Sequence, residues 1–335
     1  MTTAIIGAGI AGLSTAAEMK SAGRKIRVFD KGRGPGGRLS TRRAQTPLGE
    51  IRWDHGAQYF TAHSDAFQDE IARLRAAGAV TRWRPRLADI RRGRDGWTLG
   101  VQPSNPEEKA LFVGTPAMNS VIKALAGSLD VEWGRRVSEI KCGAEGKFLI
   151  FEDGSEEGPF EHVISAVPAE QAAELLIGTS DRLAGEAAAA HSAPCWAVML
   201  AFGAAVPVNW DAARVSGNAI SWAARNQSKP DRGSHESWVL HASTDWSRAH
   251  TGMSREDVAD RLSHEFLDMS GMRAGPVHVS AHRWLYAKVE QAAETLYGWD
   301  PQTGIAAVGD WRSGPRVEAA WLSGRACGKF LVRIV

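Results

Sequence analysis

The chain has 335 residues, 44% of them hydrophobic and 23% charged, with a formal net charge of +2. That length suits one large or two intertwined domains of a soluble globular protein. The balanced charge gives no reason to expect a nucleic-acid partner, and no stretch approaches the roughly 20 apolar residues of a membrane span.

Three scattered cysteines without a CxxC spacing argue against a disulfide framework or a structural zinc, and for a reducing compartment. The opening run AIIGAGIAGLSTAA has no basic leader and is broken by three glycines, so it does not read as a signal peptide. The cytoplasm is the expected location.

Residues 3–30 read as strand, tight turn, helix, strand, which is a βαβ unit. The turn is a G-x-G-x-x-G. Gly7 permits the turn, Gly9 lets a diphosphate approach the backbone, and Gly12 lets helix and strand close together. The helix start supplies N–H groups and a positive dipole end, and Asp30, ending the second strand, is placed for a ribose diol.

The basic, glycine-rich ribbon DKGRGPGGRLSTRR begins at that same Asp30. Its position makes it the second half of one cofactor cradle, in which Gly36 and Gly37 let the backbone fold over the diphosphate and Arg38 neutralises charge. Arg42 and Arg43 read equally well as solvated surface. A dinucleotide wrapped on both sides and held extended is typical of FAD. In WDHGAQYFTAHSDAF, Gly56 and Ala57 are small enough for a flavin ring to lie close, with Gln58, Tyr59 and Phe60 beside it. His55 and His63 read as structural, because no metal-ligand spacing joins them to other donors.

Residues 66–111 read as a helix and short strands, and VGTPAMNSVIKALAGSL as a helix capped by Thr115 with Pro116 in its first turn. Residues 131–160 form a three-stranded meander, with Val137 early in it, and HVISAVP is a buried strand running into a helix started by Pro168. From about 180 to 298, strand-like pieces alternate around one amphipathic helix, SREDVADRLSHEFLDMS. GIAAVGDW then returns to a buried strand, whose Asp310 can reach a ribityl hydroxyl, followed by a helix aimed at the pyrimidine end of a flavin.

The expected fold class is α/β: a Rossmann-type FAD-binding domain (residues 1–62, 112–178 and 299–335) and an interleaved α+β substrate domain on an antiparallel sheet (residues 63–111 and 179–298). Thirteen tryptophans stand against three tyrosines. Most suit core packing, and a few suit the walls of a pocket for a flat conjugated ligand.

The segments IIGAGIAGLSTA, FDKGRGPGGRLSTRR and DHGAQYFTA resemble the superfamily of flavin amine oxidases and phytoene desaturases. WAARNQSKP, WVLHASTDWSR, HRWLYA and GDWRSGPRVEAAWLSG narrow the resemblance to the bacterial renalases, and together these segments run from end to end of the chain. The resemblance implies an amine-oxidase-like flavoprotein fold. It also implies FAD contacts around Ala11, Asp30, Lys31, Arg38, Val137, Asp310 and Val317, and a substrate near Ala57 to Thr61, Trp196 and Trp311. The implied activity is oxidation of 2- or 6-dihydro-NAD(P) to NAD(P)+, with oxygen reduced to hydrogen peroxide. Cys195 before the tryptophan, and Arg312 and Pro315 after Asp310, are departures that bear on pocket shape.

Hydride removal from a dihydropyridine needs no general base, and the sequence offers no Ser–His–Asp, Cys–His or paired-carboxylate constellation. No residue is therefore assigned a catalytic role beyond the flavin's own chemistry. Gln58, Tyr59, Trp196, Trp222 and Trp311 are candidates for positioning the substrate ring. Arg225 and Lys229 read equally as phosphate contacts or surface charges, and His241 and His282 as pocket or core groups. The rival readings are a flavin amine oxidase or desaturase-like dehydrogenase, in which Lys288 would hold a water near the flavin, and a non-catalytic flavin-binding module.

Overall fold

A computed structural model describes residues 2–101 and 110–334. Its first sheet has the order Gly298–Asp300, Ile305–Ala307, His162–Ser165, Thr2–Ile6, Lys25–Asp30, Val131–Trp133, and every pairing is parallel except the first. Its central strands are continuous apolar runs because both faces are covered. Ile5, Val28, Ile164 and Ala306 face the helices Ile10–Ser21 and Val317–Ile334. Their neighbours Ala4, Phe29, Val163 and Ile305 face the three-stranded meander Val137–Gly143, Gly146–Phe151 and Glu156–Phe160, with helix Ala169–Leu176 alongside. This is the period-two alternation of a strand.

The two helices on the first face approach with almost no side chain between them. A Cβ on Gly324 would lie 1.9 Å from the Ala11 carbonyl oxygen, and one on Gly328 would lie 2.8 Å from Glu18 Cβ. Ser14 Oγ donates to the Trp321 carbonyl at 2.9 Å and Thr15 Oγ1 to the Gly324 carbonyl at 3.0 Å. Small residues on one face of the first helix thus fix where the C-terminal helix begins, and so where Asp310 and Val317 stand.

The second sheet has the order His278–Gln291, His191–Ala201, Ser237–Ala242, Ile220–Arg225, Ala212–Ser216, Leu87–Gly93, Gly96–Val101. It is antiparallel apart from one parallel pair, Ala212–Ser216 with Leu87–Gly93. Helix Arg255–Ser270 covers one face, packing Val258, Leu262 and Phe266 against Val198, Leu200 and Leu240. On the other face Met199, Ala201 and Val239 meet Ile51 and Trp53 of the hairpin Arg42–Thr46 and Gly49–Trp53.

Two expectations change. Residues 65–80, expected in the substrate domain, pack through Phe67, Ile71, Leu74 and Val80 into the core cluster that holds Ile5, Val28 and Trp321, and helix Asp181–Ala189 packs beneath the first sheet through Leu183 and Ala187. The apolar stripe of each element finds its nearest partner there rather than across the chain's apparent boundary. Thr115 does not cap a helix: the helix starts at Ser120 behind Asn119, and the Thr115 hydroxyl donates to Asp231 Oδ2 at 2.6 Å.

Gly324→Ala is expected to lower stability by about 1–3 kcal/mol, the usual cost of overpacking a filled contact. Urea unfolding of the variant against the parent chain measures it.

Candidate active site

The carboxyl ends of the parallel strands converge on one cavity of about 380 Å³, as expected where ligands bind an open α/β sheet. Gly9 follows the first strand, Ala166 and Val167 follow His162–Ser165, and Asp310 follows Ile305–Ala307, and all of them line it. Gly7 has φ +108°, and a Cβ there would lie 2.8 Å from the Ala166 carbonyl oxygen. A Cβ on Gly12 would lie 2.0 Å from the Gly7 carbonyl oxygen, whereas nothing lies within 4 Å of one on Gly9. The turn is therefore closed on the protein side and open on the cavity side. Helix Ile10–Ser21 begins there with no side-chain cap and no acid in its first turn, which leaves its N–H groups and dipole free for a diphosphate.

Asp30 accepts the Ala8 N–H and the Gly32 N–H, each at 2.7 Å, one per carboxylate oxygen. It thereby ties the G-x-G-x-x-G turn to the ribbon. Burial raises its pKa above the ordinary carboxylate value, and the two amides work against that rise. Arg135 donates its backbone N–H to the Asp30 carbonyl at 2.9 Å, so Val137 enters the meander close to Asp30, and neither Asp30 nor Val137 lines the cavity. Lys31 points outward to Gln171 Oε1 at 3.1 Å.

Within the ribbon, Gly37 has φ +54° and a Cβ on Gly36 would lie 2.7 Å from Ser40 Cβ. Arg38 then reaches the cavity wall and pairs with Asp310 in bidentate fashion, at 2.7 and 2.6 Å. Gly56 and Ala57 form the floor. The Ala57 N–H donates to the Arg38 carbonyl at 2.9 Å, and a Cβ on Gly56 would lie 2.2 Å from that same oxygen. A glycine-lined slot with an uncapped helix start and an arginine offers donors for the diphosphate of FAD, and the acid at the end of the last strand offers an acceptor. Gly9, Ala11, Gly36, Arg38, Asp310 and Val317 would hold it.

Two comparisons bear on this geometry. Residues 5–74 match the model of the NAD(P)-binding Rossmann-like domain, and residues 100–327 match that of the flavin-containing amine oxidoreductases. The chain belongs to the flavin-containing amine oxidoreductase family. It is an FAD-dependent oxidoreductase. Among solved structures it is similar to cyclohexylamine oxidase from Brevibacterium oxydans IH-35A (TM-score 0.78, 12% identity, 99% of each chain covered). It is similar also to a putrescine oxidase bound to putrescine (TM-score 0.74, 13% identity, 99% of each chain).

Over the cradle of this flavoenzyme, the second sheet supplies a roof. Ser221, Trp222, His241, Trp284 and Lys288 line the cavity from three of its strands. The His55 carbonyl, next to the floor, accepts from His241 Nε2 at 3.2 Å and from Trp284 Nε1 at 3.0 Å. One backbone oxygen thus pins two roof strands. The His55 ring packs edge-on against His282 (4.9 Å between centroids) and tilts against Trp284 (5.0 Å). Burial, with neighbouring positive charge, lowers His55 to a pKa of about 3 and His282 to about 4.

Several expected substrate residues lie elsewhere. Trp196 is 1% exposed, donates to the His250 carbonyl at 3.1 Å and sits in the core between sheet and helix. Trp311 is equally buried and donates to the Val167 carbonyl at 3.2 Å. Phe60 packs on Phe112 in the core. Arg225 bonds the Val206 and Val208 carbonyls and covers the Trp238 ring at 5.0 Å, away from the cavity. Thr61 Oγ1 meets His63 Nε2 at 2.9 Å. Tyr59 packs between Trp83 and Trp222, one layer behind the wall. Gln58 bonds the Asp54 and Gly56 carbonyls and accepts from Lys229 Nζ at 3.1 Å, so it braces the floor. Lys229 is neither a surface charge nor a wall residue: it is buried 3.5 Å from Asp54.

The sequence reading missed Trp284, Arg316 and the Ala166–Val167 strand end. The last was legible from topology, because ligands bind beyond the carboxyl ends of parallel strands. Cys195 does line the cavity, but burial pushes its thiol to about 12 and it carries no nucleophilic role.

Arg38→Ala should abolish most flavin retention, read as the ratio of absorbance near 450 nm to that near 280 nm after gel filtration; unchanged flavin content would remove Arg38 from the cradle. His55, His241 and His282 have folded pKa values of about 3, 4 and 4, below the unfolded value of about 6.5. Between those limits the unfolded chain binds more protons, so stability is full above about pH 6.5 and falls as pH drops toward 4. Thermal unfolding at pH 5 and 7.5 should show that loss, and His55→Gln should flatten it.

Proposed function

We propose that this flavoenzyme oxidises dihydropyridine dinucleotides, the 2- or 6-dihydro isomers of NAD(P)H, in the manner of the renalases. Bound FAD supplies the hydride acceptor, so that the dihydro isomer, O2 and a proton become NAD(P)+ and hydrogen peroxide. The observation that carries this reading is the charge on the cavity wall. Lys288 and Arg316 line it with no carboxylate in ion-pair distance among the described residues, and its one acid, Asp310, is taken by Arg38. Such a wall favours an anionic, phosphate-bearing substrate and opposes a protonated amine.

The protein's own groups suit hydride transfer without proton abstraction. Burial, followed by the nearby Lys229 charge, lowers His241 to about 4, so it is a poor base at neutral pH. The indoles of Trp222 and Trp284, on strands at opposite sides of the roof, line the cavity with Gly56 and Ala57 of the floor and suit the stacking of a planar ring there.

Amine oxidation is the second reading. It draws on Lys288 in the cavity wall and on the same two tryptophans as facing aromatics. Anaerobic mixing of the holoenzyme with 2-, 4- and 6-dihydro-NAD, putrescine and cyclohexylamine separates the two. Rapid bleaching of flavin absorbance by the 2- or 6-dihydro isomer is expected, and bleaching by the amines alone would overturn the proposal.

A further inference from the structure

Strand Ser237–Ala242 brings His241 to the cavity wall, with its Nε2 on the His55 carbonyl oxygen at 3.2 Å. A carbonyl only accepts, so Nε2 carries the proton and Nδ1 is left as a bare lone pair. Among the described residues no donor meets this Nδ1, and the ring that carries it lines the cavity.

The groups around it are already committed. Ser221 Oγ donates to the His241 and Ala242 carbonyls, at 3.3 and 3.1 Å, and the Cys195 thiol also points at the Ala242 carbonyl. Directly across the strand pair stands Trp222, whose ring also lines the cavity. Burial holds the imidazole neutral across the physiological range, so on the cavity side it can only accept. A flat wall beside an imidazole that only accepts and an indole N–H with no partner among the described residues calls for a planar ligand whose edge carries both an N–H donor and an oxygen acceptor.

We infer that His241 Nδ1 accepts a hydrogen bond from the primary carboxamide of the substrate's pyridine ring, so that the site selects a carboxamide over a carboxylate at that ring position. This rests on the dihydropyridine reading above and names the group on the ring that the protein recognises. A carboxylate offers no donor and would set its lone pairs against that of the imidazole, whereas an amide N–H satisfies it. A site built around such a bond rejects the analogue lacking the donor by far more than a hydrophobic pocket does.

Binding of nicotinamide and of nicotinate to the oxidised holoenzyme, followed by perturbation of the visible flavin spectrum, tests the contact without turnover. The ratio of kcat/KM for 6-dihydro-NAD to that for its carboxylate counterpart tests it in catalysis. The parent enzyme should prefer the amide by about tenfold or more in both. His241→Phe should bring both ratios close to their intrinsic values with flavin content unchanged, while His241→Asn, which keeps an acceptor near Nδ1, should retain most of the preference. Equal binding of the two fragments by the parent enzyme, binding of neither, or an undiminished preference in His241→Phe would each overturn the inference. Should His241→Phe lose its flavin, the fragment pair on the parent enzyme decides alone. Amide preference without bleaching by any dihydro isomer would support the contact and sink the reaction. Bleaching without amide preference would do the reverse.

Discussion

A fully buried carboxylate, Asp54, holds the cradle to the roof. It accepts Arg232 Nε at 3.0 Å and Nη2 at 2.7 Å, the Thr41 hydroxyl at 2.8 Å and the Met118 N–H at 3.0 Å, with Lys229 Nζ 3.5 Å away. Its own N–H donates to Asn226 Oδ1 at 3.2 Å. Four separate segments therefore meet on one side chain: the ribbon, the floor, the loop before helix Ser120–Ala126, and the roof loop that carries Asn226, Lys229 and Arg232. Burial by itself would raise the Asp54 pKa, but the two cations bring it below the ordinary value, and burial lowers Lys229 to about 8. Charges so placed persist only when paired, and removing one partner from such a site typically costs about 3–5 kcal/mol. That cost opposes separation of floor and roof.

The rest of the cavity builds on that tie. The floor, tied in this way, presents the His55 carbonyl to the roof, and His241 and Trp284 both bond to it. Below the floor, Gly56 lies so close to the Arg38 carbonyl that no side chain fits between ribbon and floor, and Arg38 carries this contact on to Asp310. The height of the slot between floor and roof thus follows from backbone contacts, while its walls decide what enters.

Tryptophan shows how far composition can mislead. Trp53, Trp196, Trp238 and Trp311 are nearly or fully buried, and each indole N–H has a carbonyl or carboxylate partner, which marks them as framework. Trp222 differs: it lines the cavity and its N–H has no partner among the described residues. Strand parity sets the difference. Cys195 faces the cavity, so Trp196 must face the helix behind the sheet, and by the same rule His241 faces the cavity while Leu240 enters the core. Nothing in the composition of a strand says which of its two faces will be covered.

The candidate cofactor cradle was legible in chain order. Gly7, Gly9, Gly12, Asp30, the glycine-rich ribbon and the strand-to-helix passage at Asp310 lie on local turns whose geometry their own residue types impose, so their chemistry was readable in chain order. The opposite wall of the cavity was not. Gln58, Lys229 and Arg225 became struts, Trp196 and Trp311 became core, and Trp284, Lys288 and Arg316 became wall. Those roles depend on the register of strands far apart in sequence, and on whether a buried charge finds its partner. Both are settled by packing across the chain rather than by any short run of residues.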